Sequence, residues 1–232
     1  MLYPLAGQSR PWPALLNDLN MSPRSRKHTQ RRLLEFPGGG TYIGHSVCYP
    51  HRFDAMNDRL PFRATSLGSA YEGLRLPAAV LLDNIRSMYN VGSFFRTSDA
   101  VGLETLYLCG ITAYPPKSAI SKTALGAEDS VAWQHHANAC EPLALLRTRG
   151  YEIVAIETSL HSVDLYEWRP AFPVCILFGH EVDGIRPELL AMADTHVRIP
   201  MVGRKHSLNV ATAAGVVLYE LLRKYRELDR SR

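Results

Sequence analysis

Residues 199–219 read Ile199-Pro-Met-Val-Gly-Arg-Lys-His-Ser-Leu-Asn-Val-Ala-Thr-Ala-Ala-Gly-Val-Val-Leu-Tyr219, and this stretch decides the fold. It is a bent loop that feeds an amphipathic helix built from unusually small residues. Ser207 or Asn209 can cap the helix by accepting a backbone N–H bond. Leu208, Ala211, Ala214, Gly215, Leu218, Leu221 and Leu222 then recur near helical spacing. Ala211, Ala213, Ala214 and Gly215 leave so little bulk that another backbone or a ligand can approach closely. An ordinary C-terminal core helix would carry the same cap and period, so the rest of the chain must discriminate.

Two other segments share this character. Residues 82–102 include Asn90-Val91-Gly92 and Arg96, and residues 177–185 read Leu-Phe-Gly-His-Glu-Val-Asp-Gly-Ile. Each follows an apolar run that reads as a buried strand, Ala78 to Leu82 and Val174 to Phe178. Both therefore lie at the carboxyl end of a strand, where open α/β sheets hold their ligands. From Ala78 onward strands are expected at 78–82, 104–109, 151–157, 173–178 and 196–200. Helices are expected near 91–101, 140–149, 185–193 and 207–225. This alternation predicts an α/β fold with a mostly parallel sheet flanked by helices. Pro115-Pro116 opens a loop, and Lys117 to Glu128 is either a mobile segment over the site or a plain surface helix and turn, which the pattern favours.

Asn90-Val91-Gly92 with Arg96, Gly179-x-Glu181-x-x-Gly184-Ile185, and Ile199-Pro200-Met201 with Ser207-Leu208-Asn209 resemble the three ordered motifs of the TrmH-type (SpoU) RNA ribose methyltransferases of the SPOUT superfamily. The resemblance spans about residues 78–225. It implies S-adenosylmethionine-dependent methyl transfer to a ribose 2′-hydroxyl of tRNA or rRNA, a C-terminal deep trefoil knot and a homodimer. By the same resemblance Gly179, Ile199 and Leu208 contact the cofactor through main chain, with Met201 nearby and Ser207 helping to shape the cofactor loop. Arg96, Asn90, Glu181 and Asn209 are the implied catalytic set.

Chemistry narrows these roles. Transfer to a ribose hydroxyl is largely a matter of positioning donor and oxygen. A guanidinium has a pKa above about 12, so the residue matching Arg96 works as a cation that clamps phosphate and steadies a developing alkoxide. Asn90 orients the ribose or fixes its loop, and Glu181 holds a neighbouring backbone or pairs with a cation.

Composition bounds the alternatives. The chain has 232 residues and a formal charge of +4, which permits a polyanionic partner without requiring one. Residues 1–75 read as a partly ordered extension, with 76–232 as the methyltransferase domain. Arg24, Arg26, Lys27, His28, Arg31 and Arg32 form a dense basic cluster suited to an RNA backbone or to a solvated surface. Cys48, Cys109, Cys140 and Cys175 form no C-x-x-C pair, and His180-Glu181 is not followed by the second histidine of a zinc helix, so no metal is expected. No run approaches 18 apolar residues and nothing resembles a signal peptide, which points to a reducing cytoplasm. No G-x-G-x-x-G or G-x-S-x-G occurs, against a dinucleotide fold or hydrolase elbow. The rival reading is a catalytically silent knotted module that binds structured RNA, and the intact Asn90, Arg96, Glu181 and Asn209 speak against it.

Overall fold

The structure, a computed structural model, describes residues 73–230. The basic cluster at 24–32 and nearly all of the 1–75 extension lie outside the described residues. Continuous apolar runs form the inner strands β1 (Leu76–Asp83), β2 (Leu103–Cys109), β4 (Glu152–Ile156) and β6 (Val174–Phe178). Shorter strands β3 (Trp133–His136), β5 (Val163–Asp164) and β7 (Thr195–Arg198) complete a seven-stranded sheet of order β3-β2-β1-β6-β4-β7-β5. Every pairing is parallel. Such a sheet is covered on both faces, which is why its central strands are apolar throughout rather than alternating.

Two cores follow from the period of two along β1. Ala78, Val80 and Leu82 face one layer, which contains Phe94 and Phe95 of α1 (Met88–Val101), Ile120 of α2 (Ser118–Ala124) and Val217, Leu218 and Leu221 of α5 (Val210–Arg230). Ala79 and Leu81 face the other, which contains Leu143 and Leu146 of α3 (Cys140–Thr148) and Leu189 of α4 (Pro187–Leu190). Cys109 and Cys175 belong to this second layer as small apolar groups; burial pushes the Cys109 thiol up to about 12, and burial also raises Cys175.

The departures from the sequence reading have local causes. β3 and β5 carry no apolar run: β3 exposes Gln134 and His135, and β5 is only two residues long. The helix expected at 185–193 is the short α4, because residues 180–184 close a tight bridge of their own and Pro187 opens the helix. The last helix starts at Val210, not 207, since Asn209 is its cap: the Asn209 Oδ1 accepts from the N–H groups of Ala211 at 2.9 Å and Thr212 at 3.2 Å. Leu208 therefore lies ahead of the helix, 39% exposed.

Residues 118–129 form a helix and 3-10 turn packed on α1, as the pattern favoured. The close helix-to-helix approach is at Gly92 of α1 and not at Gly215. A β-carbon on Gly92 would stand 2.1 Å from Thr123 Oγ1 and 2.3 Å from the Ile120 carbonyl oxygen, whereas one on Gly215 meets nothing within 4 Å.

Candidate active site

The sheet order puts β6, β4 and β7 side by side, so the loops leaving their carboxyl ends gather at one place. Together with the start of α5 they enclose a cavity of about 440 Å³. Gly179, Ile199, Met201, Ser207 and Leu208, the five residues expected to hold a cofactor, all line it, as do Glu181 and Asn209. Its apolar wall is supplied by Phe178, Val197, Ile199, Met201 and Ala213, and polar groups line the remainder.

The loop after β6 is rigid for reasons written in its glycines. His180 N–H donates to the Gly184 carbonyl at 3.0 Å and Gly184 N–H returns a bond to the His180 carbonyl at 2.9 Å. The His180 Nδ1 accepts from Val182 N–H at 3.3 Å and Asp183 N–H at 3.1 Å, closing the turn from inside. Gly184 has φ +73°, a left-handed conformation that side chains disfavour, and a β-carbon on Gly179 would sit 2.3 Å from the Gly184 carbonyl oxygen. The turn therefore requires glycine at both positions.

Glu181, at the tip of that turn, reaches across to the loop between β1 and α1. Its carboxylate accepts from Arg86 N–H, Ser87 N–H and the Asn90 side-chain amide, each at 3.0 Å. Partial burial on its own would raise this carboxyl, but the Arg86 and Ser87 backbone bonds and the Asn90 amide outweigh it and hold Glu181 below the usual glutamate value. Asn90 spends its other end on Asn209, whose amide donates to Asn90 Oδ1 at 3.2 Å. Asn209 in turn caps α5. One chain of side-chain bonds thus runs Glu181–Asn90–Asn209 and ties all three sequence motifs together. Asn90 is not the cap of its own helix: Ser87 is, its Oγ accepting from Asn90 N–H at 3.3 Å.

A second pair, buried Asp83 with half-buried Arg186, joins the same two loops. Asp83, 1% exposed at the end of β1, accepts two bonds from the Arg186 guanidinium, from Nε at 2.8 Å and Nη2 at 3.0 Å.

Arg96 is not brought to the cavity. It lies six residues beyond Asn90 on α1, about 9 Å along the axis and on a different face. There it lines a second cavity of about 420 Å³ with Ser93, Thr97, Lys122, Thr123 and the exposed Tyr219. Sequence reasoning also missed residues of the first cavity: Glu157 and Thr158 after β4, and Arg198 and His206 beside the third motif. For Glu157 a signal existed, an acid placed directly after a buried apolar strand. Among the described residues no group of three or more His, Cys, Asp or Glu side chains is arranged to hold a metal ion, and no helix is long and apolar enough to cross a membrane.

Comparison with known proteins finds relatives by sequence and by fold. The model of the SpoU rRNA Methylase family matches residues 77–219. The tRNA (guanosine(18)-2′-O)-methyltransferase of Escherichia coli (strain K12) is 35% identical over 148 residues, covering 62% of this chain and 62% of that protein. The chain thus spans under two thirds of that relative's length. The TrmH/SpoU tRNA modifying enzyme of A. aeolicus superposes with a TM-score of 0.61 at 31% identity, covering 67% of this chain and 78% of its own. An AdoMet-bound rRNA methyltransferase from Sinorhizobium meliloti gives 0.60 at 33% identity, covering 63% and 56%.

Proposed function

Because the chain belongs to the SpoU rRNA methylase family, we propose that it transfers a methyl group from S-adenosylmethionine to a ribose 2′-hydroxyl of a structured RNA, tRNA or rRNA. The observation that carries this reading is the Glu181–Asn90–Asn209 chain of bonds, which draws three separate motifs to the rim of one cavity. Core packing alone has no need of such a polar brace at the carboxyl edge of a sheet.

The cavity fits the cofactor by the chemistry of its donors and walls. Apolar surface from Phe178, Ile199, Met201 and Leu208 suits an adenine and a methionine chain, and the Glu181 carboxylate suits a cation. When bound, the sulfonium supplies an electrophilic methyl group. Gly179, Ile199, Met201, Ser207 and Leu208 hold the donor, and the braced Asn90, Glu181 and Asn209 keep its rim from opening. Preorganisation of this kind lowers the barrier by removing motion that would otherwise be frozen in the transition state.

Arg96 completes the reading only with a second copy of the chain. Its cavity is formed by α1, α2 and α5, with Tyr219 exposed and Gly215 open alongside, which supports a homodimer packed on this face. The partner's cavity then receives Arg96 as a cation that clamps a target phosphate and steadies the alkoxide formed as the 2′-hydroxyl loses its proton. The trefoil threading of the third motif and a cytoplasmic location belong to the same proposal. So does an RNA-backbone contact by the basic cluster at 24–32.

The test is methyl transfer from labelled S-adenosylmethionine to total RNA, followed by mapping of alkali-resistant ribose methyls. Incorporation into a ribose is the expected result. RNA binding without incorporation, in protein that binds S-adenosylhomocysteine, would instead favour the silent RNA-binding module.

A further inference from the structure

Glu157 is the first residue past β4, the strand that lies between β6 and β7, and so it stands between the loops of the second and third motifs. Its main chain is locked on both sides. Its N–H donates to the Val197 carbonyl at 3.1 Å, and its own carbonyl accepts from Ser162 Oγ at 2.7 Å. Its side chain lines the cavity and is locked as well. Oε1 accepts from Thr158 N–H at 3.0 Å and Oε2 from Ile185 N–H at 3.2 Å. Gly184 leaves the space for it, since a β-carbon there would lie 2.6 Å from Glu157 Oε2.

A carboxylate offers about four lone-pair sites, and the backbone takes one on each oxygen. What remains is one acceptor on each of the two carboxylate oxygens, held in place by those backbone bonds within the cavity. Arg198, the lining guanidinium, donates from Nη1 to the Ser162 carbonyl at 2.5 Å. Two acceptor oxygens on one carboxyl carbon match two O–H donors on adjacent carbons, the arrangement of a vicinal diol. Acids near strand ends in dinucleotide-binding folds grip a ribose in this way.

We propose that Glu157 is a specificity-determining residue that accepts hydrogen bonds from the 2′- and 3′-hydroxyls of the cofactor's adenosine ribose. This rests on the reading of the cavity as the S-adenosylmethionine site and adds to it the group that selects a ribonucleoside. Loss of the diol or of the carboxylate then removes the same bonds, so the two losses do not add.

The experiment is calorimetric titration of full-length protein, wild type, Glu157→Gln and Glu157→Ala, with S-adenosylhomocysteine, its 2′,3′-dideoxy analogue and its desamino analogue. In the wild type the dideoxy ligand is expected to bind at least about tenfold more weakly than the parent, the scale of hydrogen bonds to a charged acceptor. In Glu157→Ala that ratio should fall to near one, and Glu157→Gln, which keeps one acceptor, should fall between. A merely structural role would weaken all three ligands in proportion and leave the ratios unchanged, which would overturn the proposal. Collapse of the desamino ratio instead would place Glu157 against the amino group and also overturn it. Failure of the wild type to bind S-adenosylhomocysteine at all would strike the reading of the cavity itself, a result distinct from either.

Discussion

The two cavities are alike in size and opposite in construction. The first, at the ends of β4, β6 and β7, is closed by backbone turns and side-chain bonds within a single chain: Gly179 against Gly184, Glu181 against Arg86 and Ser87, Asn90 against Asn209. The second, around Arg96, sits on helix surfaces and presents cationic and hydroxyl groups, with Thr123 Oγ1 donating to the Tyr89 carbonyl at 3.0 Å between α2 and α1. In the proposed function the first holds a small molecule in one pose. The second gains its use from what is laid over it, and in the proposed function that is a second copy and its RNA.

The largest expected effect separates the two. Arg96→Ala should lower methyl transfer by roughly 10²–10³-fold, the usual consequence of removing one group that stabilises developing charge. Its affinity for S-adenosylhomocysteine should stay within about twofold of wild type, because Arg96 does not line the first cavity. Arg96→Lys should also fail substantially, since an ammonium lacks the planar fork that grips a phosphate through two bonds. Single-turnover kinetics with parallel calorimetry decides the matter. A loss of cofactor affinity as large as the loss of rate would merge the two regions into one.

A pair of glycine substitutions sharpens the contrast at the level of packing. Gly92→Ala drives a β-carbon to 2.1 Å from Thr123 and 2.3 Å from the Ile120 carbonyl, so α2 must shift away from α1 beneath the Arg96 face. Gly179→Ala drives one to 2.3 Å from the Gly184 carbonyl, inside the turn of the first cavity. Each should destabilise the fold by about 1–3 kcal/mol, the range for overpacked sites. Only Gly179→Ala should weaken cofactor binding. Urea unfolding with ligand titration on both variants tests this, and equal loss of affinity would show that the two cavities share one rigid support.

How much of this was legible beforehand depended on whether a residue's signal was local. The inner strands announce themselves because a parallel sheet buries both faces, and β1 is buried at seven of its eight positions. Asn90, Glu181 and Asn209 were legible as polar residues at strand ends and helix starts. The bond between Asn90 and Asn209 was not, since it joins residues 119 apart. Edge strand β3 lacks the apolar run that marks its neighbours, having one side toward water at Gln134 and His135. The placement of Arg96 away from the first cavity was not legible for the converse reason. Six residues from Asn90 is close in sequence, yet on a helix it is nearly two turns away and faces elsewhere.

The smallest effect concerns the charge that holds the first cavity's rim. The folded-state pKa of Glu181 is depressed by the Arg86 and Ser87 N–H groups and the Asn90 amide, against the opposing pull of partial burial. A carboxylate depressed in this way favours the fold at any pH above its unfolded value, near about 4.3, and that contribution is lost as pH falls through the lower folded value. Wild-type stability should therefore be insensitive to this group between about pH 6 and 8 and should drop on the acid side of about pH 4.5. Glu181→Gln replaces the charged acceptor with an amide that offers one oxygen and sets a donor against one of the backbone N–H groups. That variant should be less stable than wild type at neutral pH and lose less on acidification, so the two stability curves converge toward pH 3. Urea midpoints measured across the range read this directly. Parallel curves down to pH 3 would mean that the three bonds contribute geometry without net charge stabilisation, and the brace would then differ less from the Arg96 face than its wiring implies.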